Sequence, residues 1–129
     1  MKNTTKIIAA VVCLAAGYGI SSLVSGTMKN NESKSVYIGP SEVNVTDGVL
    51  SPEILLSLGR LSDPQLSPDG SRILYGVSYT SVKENKSCRN LFICNADGSG
   101  KVQLTKFAQS VNSARWSKDG NSIYFLQDG

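Results

Sequence analysis

The chain has 129 residues, with 13 Lys and Arg against 10 Asp and Glu, three Cys and no His. That length holds at most one small domain. Without histidine the chain cannot by itself build a Ser-His-Asp or Cys-His catalytic site, or a His-containing zinc site. From residue 27 onward 11 basic residues face 10 acidic ones, and no basic stripe with interleaved aromatics marks a nucleic-acid partner.

In chain order, Lys2 and Lys6 precede an apolar stretch from Ile7 to Val24, interrupted by Gly17, Tyr18, Gly19, Ser21 and Ser22. A positive start, an apolar centre and small residues after it form the secretory-signal pattern. Residues 1–26 therefore read as a signal helix cut after Gly26, or as a retained anchor crossing a membrane through residues 7–24. Either reading makes the protein exported, periplasmic or envelope-associated, with no other membrane contact expected. Cys13 lies inside this stretch, but bulky Val12 and the short apolar run before it argue against lipidation. Residues 27–49 are rich in Asn, Ser, Lys, Thr and Gly and read as a linker, with Val43 and Val45 alternating as one short strand.

Ser51-Pro52-Glu53 then opens a helix. Ser51 can cap free backbone N–H groups, Pro52 suits the first helical position, and Glu53 favours the positive end of the helix dipole. Ile54, Leu55, Leu56 and Leu58 follow, and Gly59 is expected to stop the helix. So short a helix is unstable alone and must dock on a larger body.

From Leu61 onward the pattern changes to strands and tight turns. Leu66-Ser67-Pro68-Asp69-Gly70-Ser71-Arg72-Ile73-Leu74-Tyr75 recurs 50 residues later as Trp116-Ser117-Lys118-Asp119-Gly120-Asn121-Ser122-Ile123-Tyr124-Phe125, with Ser, Asp, Gly and Ile identical. Asp-Gly between apolar runs signals a hairpin, because both residues tolerate positive φ. Asp97-Gly98 is a third such turn. The expected strands lie near 64–67, 72–80, 90–95, 101–104, 113–117 and 122–127, with a loop over 81–89. Four antiparallel strands every 40 to 50 residues is the period of a β-propeller blade. The fold class expected is all-β: about one and a half four-stranded blades over residues 50–129, preceded by the signal helix and the short capped helix. Single blades cannot bury both faces, so the chain is expected to be the N-terminal part of a longer protein, or otherwise a small exported β-protein. Alone, it is expected to aggregate or stay largely unfolded.

Few residues invite a chemical role. Cys88 and Cys94 flank a predicted strand, which holds them too far apart to pair, so free thiols are expected. Glu84 lies in the predicted loop and reads as a solvated charge. Asp69 and Asp119 read as turn-stabilising carboxylates, and Tyr75 and Trp116 as packing residues.

The run from Leu50 through the Ser51-Pro52-Glu53 cap to the Ser67-Pro68-Asp69-Gly70 turn and Tyr75 resembles the start of the propeller domain in exported bacterial peptidases of the prolyl oligopeptidase family. The dipeptidyl peptidase and acylaminoacyl peptidase branches are the nearest in pattern. Asn90 to Ser99, Gln103-Leu104-Thr105 and Ala114 to Gly120 are similar to the same blade repeats, which TolB-like propellers share. The resemblance implies a propeller capping an α/β-hydrolase domain whose Ser-Asp-His triad carries its Ser on a Gly-x-Ser-x-Gly elbow. No such elbow occurs here, and Gly98-Ser99-Gly100 has the wrong spacing. No catalytic, cofactor-binding or metal-binding residue is therefore assigned. The function expected is the first propeller blades of a serine peptidase acting on short peptides, the peptide substrate being met only by the full-length relative. The alternative is a non-enzymatic TolB-like envelope propeller that binds protein or peptide partners.

Overall fold

The computed structural model describes residues 8–13, 36–45 and 47–128. Its elements are β1 (Ile8–Cys13), α1 (Pro52–Ser57), β2 (Arg60–Leu66), β3 (Arg72–Ser81), β4 (Lys86–Asn95), β5 (Val102–Gln103), β6 (Val111–Trp116) and β7 (Ser122–Gln127). The described chain is all-β apart from one short helix, as its alternating apolar pattern and Asp-Gly turns predict.

The strands form two antiparallel sheets. One has the order β2-β3-β4-β5, and the other β1-β7-β6. Successive residues in a strand point to opposite faces. On the first sheet Leu74 of β3 and Leu91 of β4 project toward the second sheet. There they meet Val111 and Ala114 of β6 and Ile123 and Phe125 of β7, all nearly inaccessible to solvent. Leu104, Phe107 and Trp116 close the rim of this core. The Phe107 and Phe125 rings lie 6.3 Å apart in a tilted pair.

Polar groups at the core edge are paired rather than stranded. Asn90 is buried, and its side-chain oxygen accepts from the Thr105 hydroxyl and the Phe107 N–H, each at 2.9 Å. Its amide nitrogen donates to the Phe107 carbonyl at 3.2 Å. Thr105 Oγ1 in turn accepts the Leu91 N–H at 2.9 Å. This network ties β4 to the segment that leads toward β6.

Helix α1 begins as its sequence dictates. Ser51 is the N-cap, its hydroxyl accepting the Ile54 N–H at 3.3 Å, and Pro52 stands at the start. The end differs from expectation: the chain leaves the helix at Leu58, in an extended conformation, not at Gly59. Gly59 serves another purpose, since an added Cβ there would collide with Val77 and the Tyr79 ring. The helix contacts β3, but none of its residues is buried.

Three further expectations are corrected. The described part of the signal segment, Ile8–Cys13, is not helical. It pairs as β1 along β7, Ile8 opposite Gln127 and Cys13 opposite Ser122. The physical reason is the free edge of β7, whose unpaired N–H and C=O groups find partners in an extended Val-containing segment. The predicted loop over 81–89 is only a four-residue turn, because β3 and β4 continue pairing to Ser81 and Lys86. Facing Thr80 and Ser87 hydroxyls 2.9 Å apart support that extension, and Asn85 closes the turn at φ 46°. Val43 and Val45 form no strand. The rest of the signal segment, and residues 27–35 and 46 of the linker, lie outside the described residues. Among the described residues, no helix is long and apolar enough to cross a membrane.

Candidate functional site: turn carboxylates, paired bulges and a flanking cleft

The two repeated turns are built alike. In the first, the Asp69 carboxylate accepts from the Ser67 hydroxyl at 2.6 Å, the Ser71 hydroxyl at 2.7 Å and the Ser71 N–H at 3.1 Å. The Ser67 hydroxyl also accepts the Arg72 N–H at 2.9 Å. In the second, Asp119 accepts from the Ser117 hydroxyl at 2.5 Å and from Asn121, while Ser117 Oγ accepts the Ser122 N–H at 2.9 Å. These donors favour the charged form. The Ser67 hydroxyl, followed by Ser71, holds the Asp69 pKa down at about 2. Asp119 and Asp97 are lowered by Ser117 and Ser99 respectively. The carboxylates are committed to local donors, which makes them turn-builders as their sequence context predicts. Among the described residues no group of three His, Cys, Asp or Glu could hold a metal ion.

A second repeated feature escaped the sequence reading. Both β2 and β6 carry a bulge at the same place, between Ser62 and Gln65 and between Asn112 and Arg115. Each bulge contains a residue in the left-handed region, Asp63 at φ 50° and Ser113 at φ 52°. The Asp63 carboxylate meets Arg115 Nη1 at 3.0 Å and Arg89 Nη2 at 3.8 Å. Arg89 spans the sheets more deeply: it donates to Ser62 Oγ at 3.1 Å and to the Val111 carbonyl at 3.2 Å. Its guanidinium fills the space over Gly76, where an added Cβ would collide with it. The only signal that could have exposed these bulges is the 50-residue offset carried upstream of the Asp-Gly turns, where residue identities differ.

A cleft of about 440 Å³ lies between residues 36–41, α1 and the β3–β4 turn. Glu53 and Glu84 line it together with Lys83, Tyr37 and Ser57. Glu84 is exposed, as expected, and its backbone N–H donates to the Ser81 hydroxyl at 3.2 Å. The Glu53 carboxyl is held low by its own backbone N–H and by Ser51. That Glu53 and Glu84 share a cleft could not be read from residues so distant in sequence. The cleft offers acceptors to a cationic group, and it has no nucleophile paired with a base.

The remaining residues are structural. Cys88 and Cys94 are free and buried. They lie on one strand about 20 Å apart at the rise of an extended chain, beyond disulfide reach. Burial pushes the Cys88 thiol up, and its Sγ lies 3.2 Å from the Phe107 carbonyl. Ser99 sits in a turn between Gly98 and Gly100, both at positive φ, and its hydroxyl donates to Asp97 at 2.6 Å, so it is no nucleophile elbow. Tyr75 stacks on Phe92 at 5.8 Å, and Trp116 lies under Arg72 at 5.1 Å.

No family model matches the chain. Dipeptidyl-peptidase 5 of Porphyromonas gingivalis is 39% identical over 94 residues, which is 73% of this chain and 14% of that protein. Dipeptidyl-peptidase 5 of Porphyromonas endodontalis is 37% identical over 87 residues, 67% of this chain and 13% of the relative. The uncharacterized peptidase YuxL of Bacillus subtilis is 26% identical over 80 residues, 62% of this chain and 12% of YuxL. These similarities support a peptidase family. The chain spans about one seventh of the length of the dipeptidyl-peptidase relatives it matches. The peptidase resemblance thus coincides with a region where the described residues hold turns, bulges and a cleft, and no catalytic constellation.

Proposed function

We propose that residues 50–129 form the opening blades of a β-propeller in an exported serine peptidase that hydrolyses short peptides. The observation that carries this reading is the 39% identity to a dipeptidyl-peptidase over 94 residues. The 50-residue repeat of packed antiparallel sheets supports the propeller. The Lys2 and Lys6 start with its apolar stretch supports export.

The chemistry of such a peptidase is acyl transfer to water. A serine attacks the peptide carbonyl, a histidine takes its proton, and backbone N–H groups hold the oxyanion. This chain has no histidine, so it supplies no general base of that kind. Its role is architectural: a propeller wall limits which peptides reach the hydrolytic centre. Signal cleavage after Gly26 removes β1 and leaves the edge of β7 free for another strand of its blade.

The test is the size and reactivity of the native product in source cells. An antibody against the 81–89 segment is expected to detect a band several times heavier than 13.7 kDa that a fluorophosphonate probe labels. A heavy band that resists the probe would replace the peptidase with a binding propeller. A stable band at or just below 13.7 kDa would refute both.

A further inference from the structure

Residues 36–45 form neither helix nor strand, yet one stretch of them is fastened to the first sheet. Of the described residues from 36 to 66, only Ile38 is buried, at 6% exposure. Its backbone hydrogen-bonds the Cys88 sulfur on β4. Tyr37 reaches β5, where its hydroxyl oxygen accepts the Gln103 side-chain amide at 3.0 Å. Lys106 Nζ stands 5.2 Å from the centroid of the same ring. Gly39 leaves room for that ring, because an added Cβ would come within 2.7 Å of it. Gly39 is not among the positive-φ glycines, so space alone asks for glycine there.

These contacts are specific and few. A strand in a ladder is held by a row of backbone hydrogen bonds, and this segment has no ladder behind it. It is held by one buried side chain, one aromatic ring with two partners, and one bond to sulfur. Elements with so little buried area open locally while the rest of a fold stays closed. Burial of one isoleucine side chain favours the closed form by a factor of about a hundred. The same segment forms a wall of the cleft, through Val36, Tyr37, Ile38, Gly39 and Ser41. Lifting it would leave Glu53 and Glu84 on an open surface.

We infer that residues 36–41 are a strap, latched by Ile38 and Tyr37, that opens as a unit from an intact sheet and by doing so makes or removes the cleft. Cys88 reports its position. That residue is wholly inaccessible, and of its neighbours Ile38 is the one that the strap supplies, while Asn90 and the Phe107 carbonyl belong to the network at the core edge. Cys94 lies on the same strand, opposite Ile73, and serves as the internal control. The contacts all lie within residues 37–107, so the inference stands apart from the peptidase reading, which survives its failure.

Alkylation of the full chain by iodoacetamide, read at each cysteine by peptide mapping, tests it. In the wild type Cys88 is expected to react about a hundredfold more slowly than an unfolded thiol, at a rate nearly independent of urea below the unfolding transition. Ile38→Ser should raise the Cys88 rate about thirtyfold and leave the Cys94 rate unchanged, with the far-UV circular dichroism of the wild type. Gly39→Ala should raise it about fivefold, by pushing Tyr37 off Gln103 and Lys106 without touching Ile38. A Cys88 rate that climbs with urea as steeply as global unfolding would overturn the inference. So would an Ile38→Ser chain in which both thiols speed up equally, or a Cys88 rate that neither variant changes.

Discussion

Asn90 gives the most informative perturbation of the core. Its side chain makes four contacts: Thr105 Oγ1, the Phe107 N–H, the Phe107 carbonyl and Cys88 Sγ. Asn90→Ala deletes them all and leaves both backbone groups of Phe107 without these partners. A buried polar group left unpaired costs about 1–3 kcal/mol; the Phe107 carbonyl keeps the Cys88 thiol, so the unpaired Phe107 N–H and the lost hydroxyl partner amount to about 2 kcal/mol. Thr105→Val keeps the volume but removes the acceptor of the Leu91 N–H, at a cost of about 2 kcal/mol. The two changes share the Thr105–Asn90 hydrogen bond, so the double variant should be less destabilised than the sum by about 1 kcal/mol. Urea unfolding of the four chains, followed by far-UV circular dichroism at dilute concentration, measures each value. A loss below about 1 kcal/mol for Asn90→Ala, or strict additivity in the cycle, would refute the view that this network holds β4 to the connection toward β6.

Three other outcomes follow from the turns and thiols. Gly70→Ala and Gly120→Ala, at φ 74° and 69°, should each cost about 1 kcal/mol in urea midpoints, because both force a Cβ into the left-handed region. Asp69 should titrate at about 2 in a carboxyl NMR titration. Its folded pKa lies below the unfolded one, so its stabilising contribution is present above pH 3.8 and is lost as pH falls toward about 2. Cys88 and Cys94 should resist iodoacetamide in the native chain and react in urea, as peptide mapping would show, with no Cys88–Cys94 disulfide under oxidation.

Much of this fold was legible because its signals are local. Asp-Gly flanked by Ser fixes a hairpin within ten residues, and both repeated turns stand where that pattern puts them. Ser51 and Pro52 likewise start α1 where capping chemistry requires. What stayed hidden depends on partners distant in sequence. The 81–89 segment is polar and reads as loop, yet Tyr79 opposite Cys88 and Thr80 opposite Ser87 extend the ladder through it. The apolar Ile8–Cys13 segment reads as an export helix, and an unpaired β7 edge recruits it as a strand. The bulges at Asp63 and Ser113 have no shared residue identity to reveal them. The shared cleft of Glu53 and Glu84 exists only once α1 lies beside the β3–β4 turn.

The Asp69 turn has a consequence for how such a chain comes off the ribosome. Ser67, Asp69, Ser71 and Arg72 satisfy one another within six residues, and β3 and β4 are joined by a turn of four. Loops this short close in about 10–100 ns, far faster than residues are added during synthesis. Each hairpin can therefore settle its register before any later sheet exists. The slow step left to the chain is not the choice of strand partners but the wait for the next apolar face to arrive.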